Sequence, residues 1–244
     1  MKNNAIIIVL CFMTGIALAS WLLGIYGQPV TNLLSVEGLR WFLRHAADNI
    51  SASPIGDILI LLIGAGIPTY TGLFRLIAIL HRPPGKEEVR SLTAILTLRQ
   101  RRAFTYAVIS FVIYLIIIGI LLGGDEGILL GITGNLSHSP FLEGLPLLIS
   151  IGMALPGTIY GVWAGKFLRA SMWGEGLSYW VCRLAPSIVL LMFTSQLFAL
   201  LDFTGFSTLL GIPRESLLRQ SVEWIVYLLP FVFQLFSHSD TSNQ

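Results

Sequence analysis

Long apolar runs separated by short polar stretches dominate the sequence. The first run, residues 5–26, contains no charged residue. Its 22 positions can cross a hydrocarbon core of ~30 Å at ~1.5 Å per residue in a helix. Similar runs follow at residues 55–80, 103–123, 141–165, 184–203 and 222–236. The pattern predicts an all-α integral membrane protein with about six transmembrane helices in a single polytopic membrane domain, residues 1–244.

The first run also allows a second interpretation, a cleaved signal peptide. Lys2 precedes the run, and Ala17 and Ala19 resemble a small-residue cleavage site. Trp21 and Tyr26 lie at the end of the run, where aromatic side chains commonly mark a membrane interface. These aromatic residues favour an uncleaved first span.

Residues 33–50 follow a different pattern. Apolar side chains recur at steps of three and four, while Glu37, Arg40, Arg44 and Asp48 share another stripe. Ser35 precedes this pattern and is a suitable N-cap. We expect an interfacial amphipathic helix that lies along the membrane surface or packs on the helix bundle.

Two spans contain clusters of glycine and proline, at residues 64–72 and 152–161. Pro68 and Pro156 each remove a helix hydrogen bond at membrane depth, so we expect both spans to be broken there. Interrupted helices supply ion and substrate sites in secondary transporters. The alternative is a proline kink packed against neighbouring helices.

A polar group, Thr194 to Gln196, interrupts the fifth apolar run. A glutamine in the middle of a span requires partners, either across a helix interface or in a wet cavity. Asp57 and Asp202 lie near predicted outer boundaries, where we expect a carboxylate to be hydrated.

Composition and charge support a membrane protein. Hydrophobic residues make up 55% of the chain and charged residues 11%, against ~25% charged in soluble domains. Four lysines and arginines lie in outer segments: Arg40, Arg44, Arg214 and Arg219. Ten lie in segments that we assign to the cytoplasm: Lys2, Arg82, Lys86, Arg90, Arg99, Arg101 and Arg102 of the first loop and before it, and Lys166, Arg169 and Arg183. The asymmetry places both termini in the cytoplasm.

Other classes of function have no signal in the sequence. The four histidines and two cysteines show no metal-ligand spacing, and no phosphate-binding or dinucleotide-binding motif is present. The basic residues are too scattered for a nucleic-acid interface. We therefore expect neither a metal nor another cofactor, no nucleic acid and no enzyme activity.

Three stretches resemble the p-aminobenzoyl-glutamate transporter (AbgT) family. The first is LLSVEGLRW at residues 33–41 with the glycines that follow, and the second is PGTIYGVWAGK at residues 156–166. The third is FTSQLF at residues 193–198, although DFTG at residues 202–205 replaces the family's N-W-S-N. The family's glycine- and serine-rich hairpin segment is not found, so the resemblance is to a shortened, divergent member without its re-entrant hairpins.

The resemblance implies a multi-pass secondary transporter of the bacterial cytoplasmic (inner) membrane. It would move a small, aminobenzoyl-glutamate-like organic anion through the lipid bilayer with a coupling cation, as a monomer or as a homo-oligomer that completes the site. A non-transporting scaffold or assembly protein is the alternative. The predicted substrate-binding residues are Gly64, Gly66, Pro68, Thr69, Pro156, Gly157, Thr158, Ser195 and Gln196.

Overall fold

A computed structural model describes residues 2–81, 97–123, 139–212 and 216–239. In these ranges the regular elements are all α-helices, which confirms the predicted all-α class. Basic residues expected in the first cytoplasmic loop, such as Arg82, Lys86 and Arg90, lie outside the described residues. The helices are α1 (Lys2–Ile25), α2 (Val36–Ser51), α3 (Ile55–Thr71), α4 (Leu73–His81), α5 (Leu98–Gly123), α6 (Pro140–Glu143), α7 (Leu145–Trp163), α8 (Ala170–Thr204), α9 (Phe206–Leu209) and α10 (Leu217–Ser239).

Five helical segments in the described residues are long and apolar enough to cross a membrane. They are Ala5–Ile25, Val36–Thr71, Leu98–Gly123, Leu145–Trp163 and Ala170–Thr204. The helix α10 corresponds to the sixth predicted span but is not among them. Arg219 and Glu223 lie within its first two turns. The sixth span therefore stays a prediction.

The two glycine and proline clusters behave differently. In the first, the helix continues through Pro68 and ends at Thr71, because Gly72 adopts a left-handed conformation with φ of 82°. In the second, α7 runs without interruption from Leu145 to Trp163 and contains Pro156. The predicted break at the second cluster is wrong, since the helix tolerates the loss of the one hydrogen bond that proline removes. The alternative, a proline kink, stays a prediction.

The helix α8 begins at Ala170, well before the predicted start of the fifth span at residue 184. Glu175 and Arg183 lower the mean hydropathy of the first part of this helix. The apolar pattern therefore did not predict it as part of the span. Arg183, which we had assigned to a cytoplasmic segment, lies inside the helix. Its guanidinium donates to the Tyr179 hydroxyl (3.0 Å) and lies 5.9 Å from the centre of the Trp180 ring.

The chain forms two compact units. Unit 1 contains residues 1–56 and 184–244, and unit 2 contains residues 57–183. In unit 2, Leu73, Leu76, Ala103, Ala107 and Tyr160 form a buried apolar cluster.

In unit 1, hydrogen bonds donated by backbone N–H groups hold the segment between α1 and α2 in place. The Leu33 N–H donates to the Ser20 hydroxyl (3.1 Å), and the Thr31 N–H donates to the Thr204 carbonyl (3.1 Å). Ser35 then caps α2, since its hydroxyl accepts the Gly38 N–H (3.1 Å). The predicted N-cap is confirmed, and the cap fixes where the amphipathic helix begins.

Candidate functional site

Small residues line a close contact between α3 and α7 in unit 2. A Cβ placed on Gly64 would lie 2.6 Å from the Ser150 carbonyl oxygen, and one on Gly157 would lie 2.9 Å from the Pro68 nitrogen. One on Gly161 would lie 2.7 Å from the Thr71 methyl group. Residue numbers rise together on both helices, so the two helices run parallel through this contact. Glycine is required here because any side chain would separate the backbones.

The opposite face of α3 contacts the first half of α8. A Cβ on Gly66 would overlap the Gly176 carbonyl oxygen. The Trp180 indole N–H donates to the Thr69 hydroxyl (2.9 Å), and the Tyr70 hydroxyl donates to Glu175 (2.8 Å). These bonds between side chains explain why polar residues occur in this part of α8.

Unit 2 therefore contains most of the predicted site residues, but those of α3 are divided between its two opposite faces. Gly64, Gly66, Pro68, Pro156 and Gly157 are buried. At Gly64, Gly66 and Gly157 a neighbouring helix occupies the space where a side chain would start. Thr69 and Thr158 also bond to carbonyls within their own helices, those of Ala65 and Leu155 (2.7 Å each).

Ser195 and Gln196 lie on α8 in unit 1, where both are buried. The Gln196 amide donates to the Ala46 carbonyl (2.5 Å) and its oxygen accepts from the Asn49 amide (3.2 Å). Both partners belong to α2. Gln196 is thus directed into the interior of unit 1, where it joins two helices.

A cavity of about 280 Å³ lies beside this bond, between α2, α8 and α10 in unit 1. We call it the α2–α8–α10 cavity. Its polar lining comes from Asn49, Ser53, Ser195, Asp202 and Glu223. Its aromatic lining comes from Trp41, Phe198, Phe203, Trp224 and Tyr227. Such a mixture of apolar walls and a few convergent polar groups is typical of small-molecule sites.

Arg219 joins the two carboxylates of this cavity. Its Nε donates to Glu223 (2.6 Å) and an Nη donates to Asp202 (3.3 Å) and to the Phe198 carbonyl (3.4 Å). The guanidinium also lies 4.6 Å from the centre of the Phe198 ring. The Arg219 side chain is 7% exposed. Asp202, which we expected to be simply hydrated, is instead partly buried in an ion pair.

The sequence predicted Ser195 of this cavity and Gln196 beside it as site residues, and it gave no such prediction for Arg219, Glu223 or Asn49. Glu223 follows Arg219 by four residues, a spacing that allows an ion pair on one helix face. That spacing was an available signal. Asn49 gave none, because it lies 147 residues from Gln196 and meets it only through tertiary packing.

Comparison with known proteins gives two matches. A model of the AbgT putative transporter family matches residues 80–237. The p-aminobenzoyl-glutamate transport protein of Escherichia coli (strain K12) is 52% identical over 50 residues. That alignment covers 19% of this chain and 10% of the relative, so the matched segment is about a tenth of the relative's length. No solved structure matches this chain.

Proposed function

Because this chain belongs to the AbgT putative transporter family, we propose that it is a membrane transporter of a small organic anion and that transport is coupled to an ion. The relative's name, a p-aminobenzoyl-glutamate transport protein, suggests an aminobenzoyl-glutamate-like substrate. The α2–α8–α10 cavity is the observation that carries the proposal. It offers polar groups on three helices inside apolar walls.

Charge in and around the cavity supports ion coupling. Asp202 and Glu223 carry two negative charges when ionised, and Arg219 carries one positive charge. A carboxylate substrate would enter a region with an excess of negative charge, which is costly where water is scarce. A proton or metal cation that enters with the substrate would offset that cost.

Gln196 positions the binding face of α8 in this proposal. Its amide holds Asn49 and α2 in place, while the adjacent Ser195 lines the cavity. The glycines and prolines of unit 2 allow α3 to approach α7 and α8 closely within that unit.

Uptake into proteoliposomes tests transport directly. The full chain should accumulate an aminobenzoyl-glutamate-like anion faster when an inward proton or sodium gradient is imposed. Gln196→Leu should lower this uptake about tenfold or more, since leucine keeps the approximate volume but forms no hydrogen bond. Asp57→Asn should leave most of it.

Gln220→Leu is the matched control, because Gln220 is an exposed glutamine on α10. It should retain uptake close to that of the unmodified chain. If Gln196→Leu and Gln220→Leu had the same effect, the cavity would not be the binding site.

A non-transporting scaffold is the second candidate, and the packing of unit 2 favours it. Secondary transporters use interrupted helices to expose backbone groups, whereas here α7 is uninterrupted and Gly157 is pressed against Pro68. If the folded chain took up no member of an anion panel above empty liposomes, under either gradient and as monomer or oligomer, the scaffold would replace the transporter.

A further inference from the structure

A second cavity lies in unit 2, where α5 begins and α7 ends. Its volume is about 630 Å³ and it is lined by Leu98, Arg99, Arg102, Val162 and Trp163. We call it the arginine pocket. Its lining combines two cations with aliphatic and aromatic groups and, among the residues that the structure describes, includes no acidic residue. The charge of this pocket complements an anion.

Arg99 is held in a defined position in the pocket. Its Nε donates to the Trp163 carbonyl (2.9 Å) at the end of α7. The guanidinium also packs over Gly165, where a Cβ would lie 2.7 Å from an Nη atom. Within the described residues the two terminal amino groups of Arg99 make no hydrogen bond, so they remain available to a ligand.

The pocket lies at the end of two candidate membrane spans. Leu98–Gly123 and Leu145–Trp163 both have the length and hydropathy to cross a bilayer. The first residues of one span and the last residues of the other therefore belong to one membrane interface. Leu98, Val162 and Trp163 are 76%, 48% and 54% exposed there. Tryptophan commonly lies at the level of lipid headgroups.

We infer that the arginine pocket binds the headgroup phosphate of an anionic phospholipid. Arginine guanidinium groups recognise phosphate oxygens through paired hydrogen bonds, and basic pockets between spanning helices bind such headgroups. Leu98 and Val162 contact the start of the acyl chains, while Trp163 lies beside the glycerol region. The exposed apolar half of the lining fits a lipid better than free phosphate. The inference is independent of transport.

Native mass spectrometry of the purified full chain tests this by counting bound lipids. Phosphatidylglycerol should bind more tightly than phosphatidylcholine. Arg102→Gln should weaken phosphatidylglycerol binding about fivefold, the effect of roughly one interfacial arginine. The Arg102 side chain makes no hydrogen bond within the described residues, so this change leaves the helix contacts intact. Arg99→Gln should weaken binding similarly, and Arg99→Lys should restore part of it.

Arg101→Gln is the matched control. It removes the same charge from the adjacent position, but Arg101 does not line the pocket. Binding should stay near that of the unmodified chain. If Arg101→Gln and Arg102→Gln weakened phosphatidylglycerol binding equally, the inference would be overturned, because the lipid would then be attracted by diffuse surface charge and not by the pocket. Equal binding of the two lipids, or displacement of phosphatidylglycerol by an equal concentration of inorganic phosphate, would also overturn it.

Discussion

Arg219 illustrates how one side chain can connect several parts of a unit. It bonds to Glu223 one turn along its own helix and to Asp202 on α8, and its charge faces the Phe198 ring. Arg219 is buried, while Asp202 and Glu223 are about a quarter exposed, at 24% and 25%. Loss of the cation would leave two partly desolvated carboxylates without a charged partner.

We predict that Arg219→Met destabilises the protein. The loss should be about 2–4 kcal/mol, somewhat below that of a fully buried pair because solvent screens the carboxylates. Reversible unfolding in mixed detergent micelles measures it. Arg40→Met, which changes an exposed arginine in the same unit, should alter stability by less than about 0.5 kcal/mol. Equal effects of the two changes would contradict the proposed role of the ion pairs.

The environment of a residue could be predicted only where its neighbours in the sequence imposed a physical requirement on it. Gln196 had to find partners because it interrupts an apolar run, and its 7% exposure agrees with that expectation. The identity of its partners was not predictable, since Asn49 and Ala46 lie on a distant segment. Asp202 was misjudged for the same reason. Its environment depends on Arg219, 17 residues away and on another helix.

At the scale of elements, glycine determines how closely α3 can approach α7. Gly157 is the clearest position, because a Cβ there would lie 2.9 Å from the Pro68 nitrogen and 3.0 Å from its Cδ. Both atoms belong to a rigid ring or to the backbone, so neither can move aside independently. A methyl group would therefore force the helices apart.

We predict that Gly157→Ala destabilises the protein by about 1–2 kcal/mol, since overpacking outweighs the gain in helix propensity. Gly119→Ala is the matched control. Gly119 lies on α5 of the same unit, and a Cβ there meets nothing within 4 Å. That change should be neutral or stabilising by up to ~1 kcal/mol. Unfolding measurements on both variants check the difference, and a stabilised Gly157→Ala protein would show that the contact is loose.

Helix boundaries were predictable where a cap or a conformational requirement marks them. Ser35 marks the start of α2, and its cap bond is present. Gly72 marks the end of α3 through its positive φ, although proline suggested an earlier break. The start of α8 at Ala170 was not predictable from apolar runs. Its first half is stabilised by polar contacts with α3, such as that of Glu175 with Tyr70.

At the scale of the whole molecule, composition predicted the fold class, an all-α membrane protein. The division into two units depends instead on contacts between distant segments. Unit 1 joins residues 1–56 to residues 184–244, and no local pattern indicates that pairing. Orientation, in contrast, depends on summed charge. The asymmetry of ten cytoplasmic basic residues to four outer ones included Arg219 among the outer four and Arg183 among the ten. Both of these side chains hydrogen-bond to other side chains, and without them the asymmetry is nine basic residues against three.

That asymmetry still predicts that Thr97 faces the cytoplasm and Ser51 the opposite side, because short loops rich in lysine and arginine stay inside. Both residues are exposed, so cysteines placed there are accessible to a reagent. Cys11 and Cys182 are also exposed and must first be replaced by serine. In intact bacterial cells whose outer membrane has been permeabilised, a thiol reagent that cannot cross the cytoplasmic membrane should label Ser51→Cys. It should reach Thr97→Cys only after the cells are lysed. The reverse pattern would invert the predicted topology and move the arginine pocket to the outer leaflet.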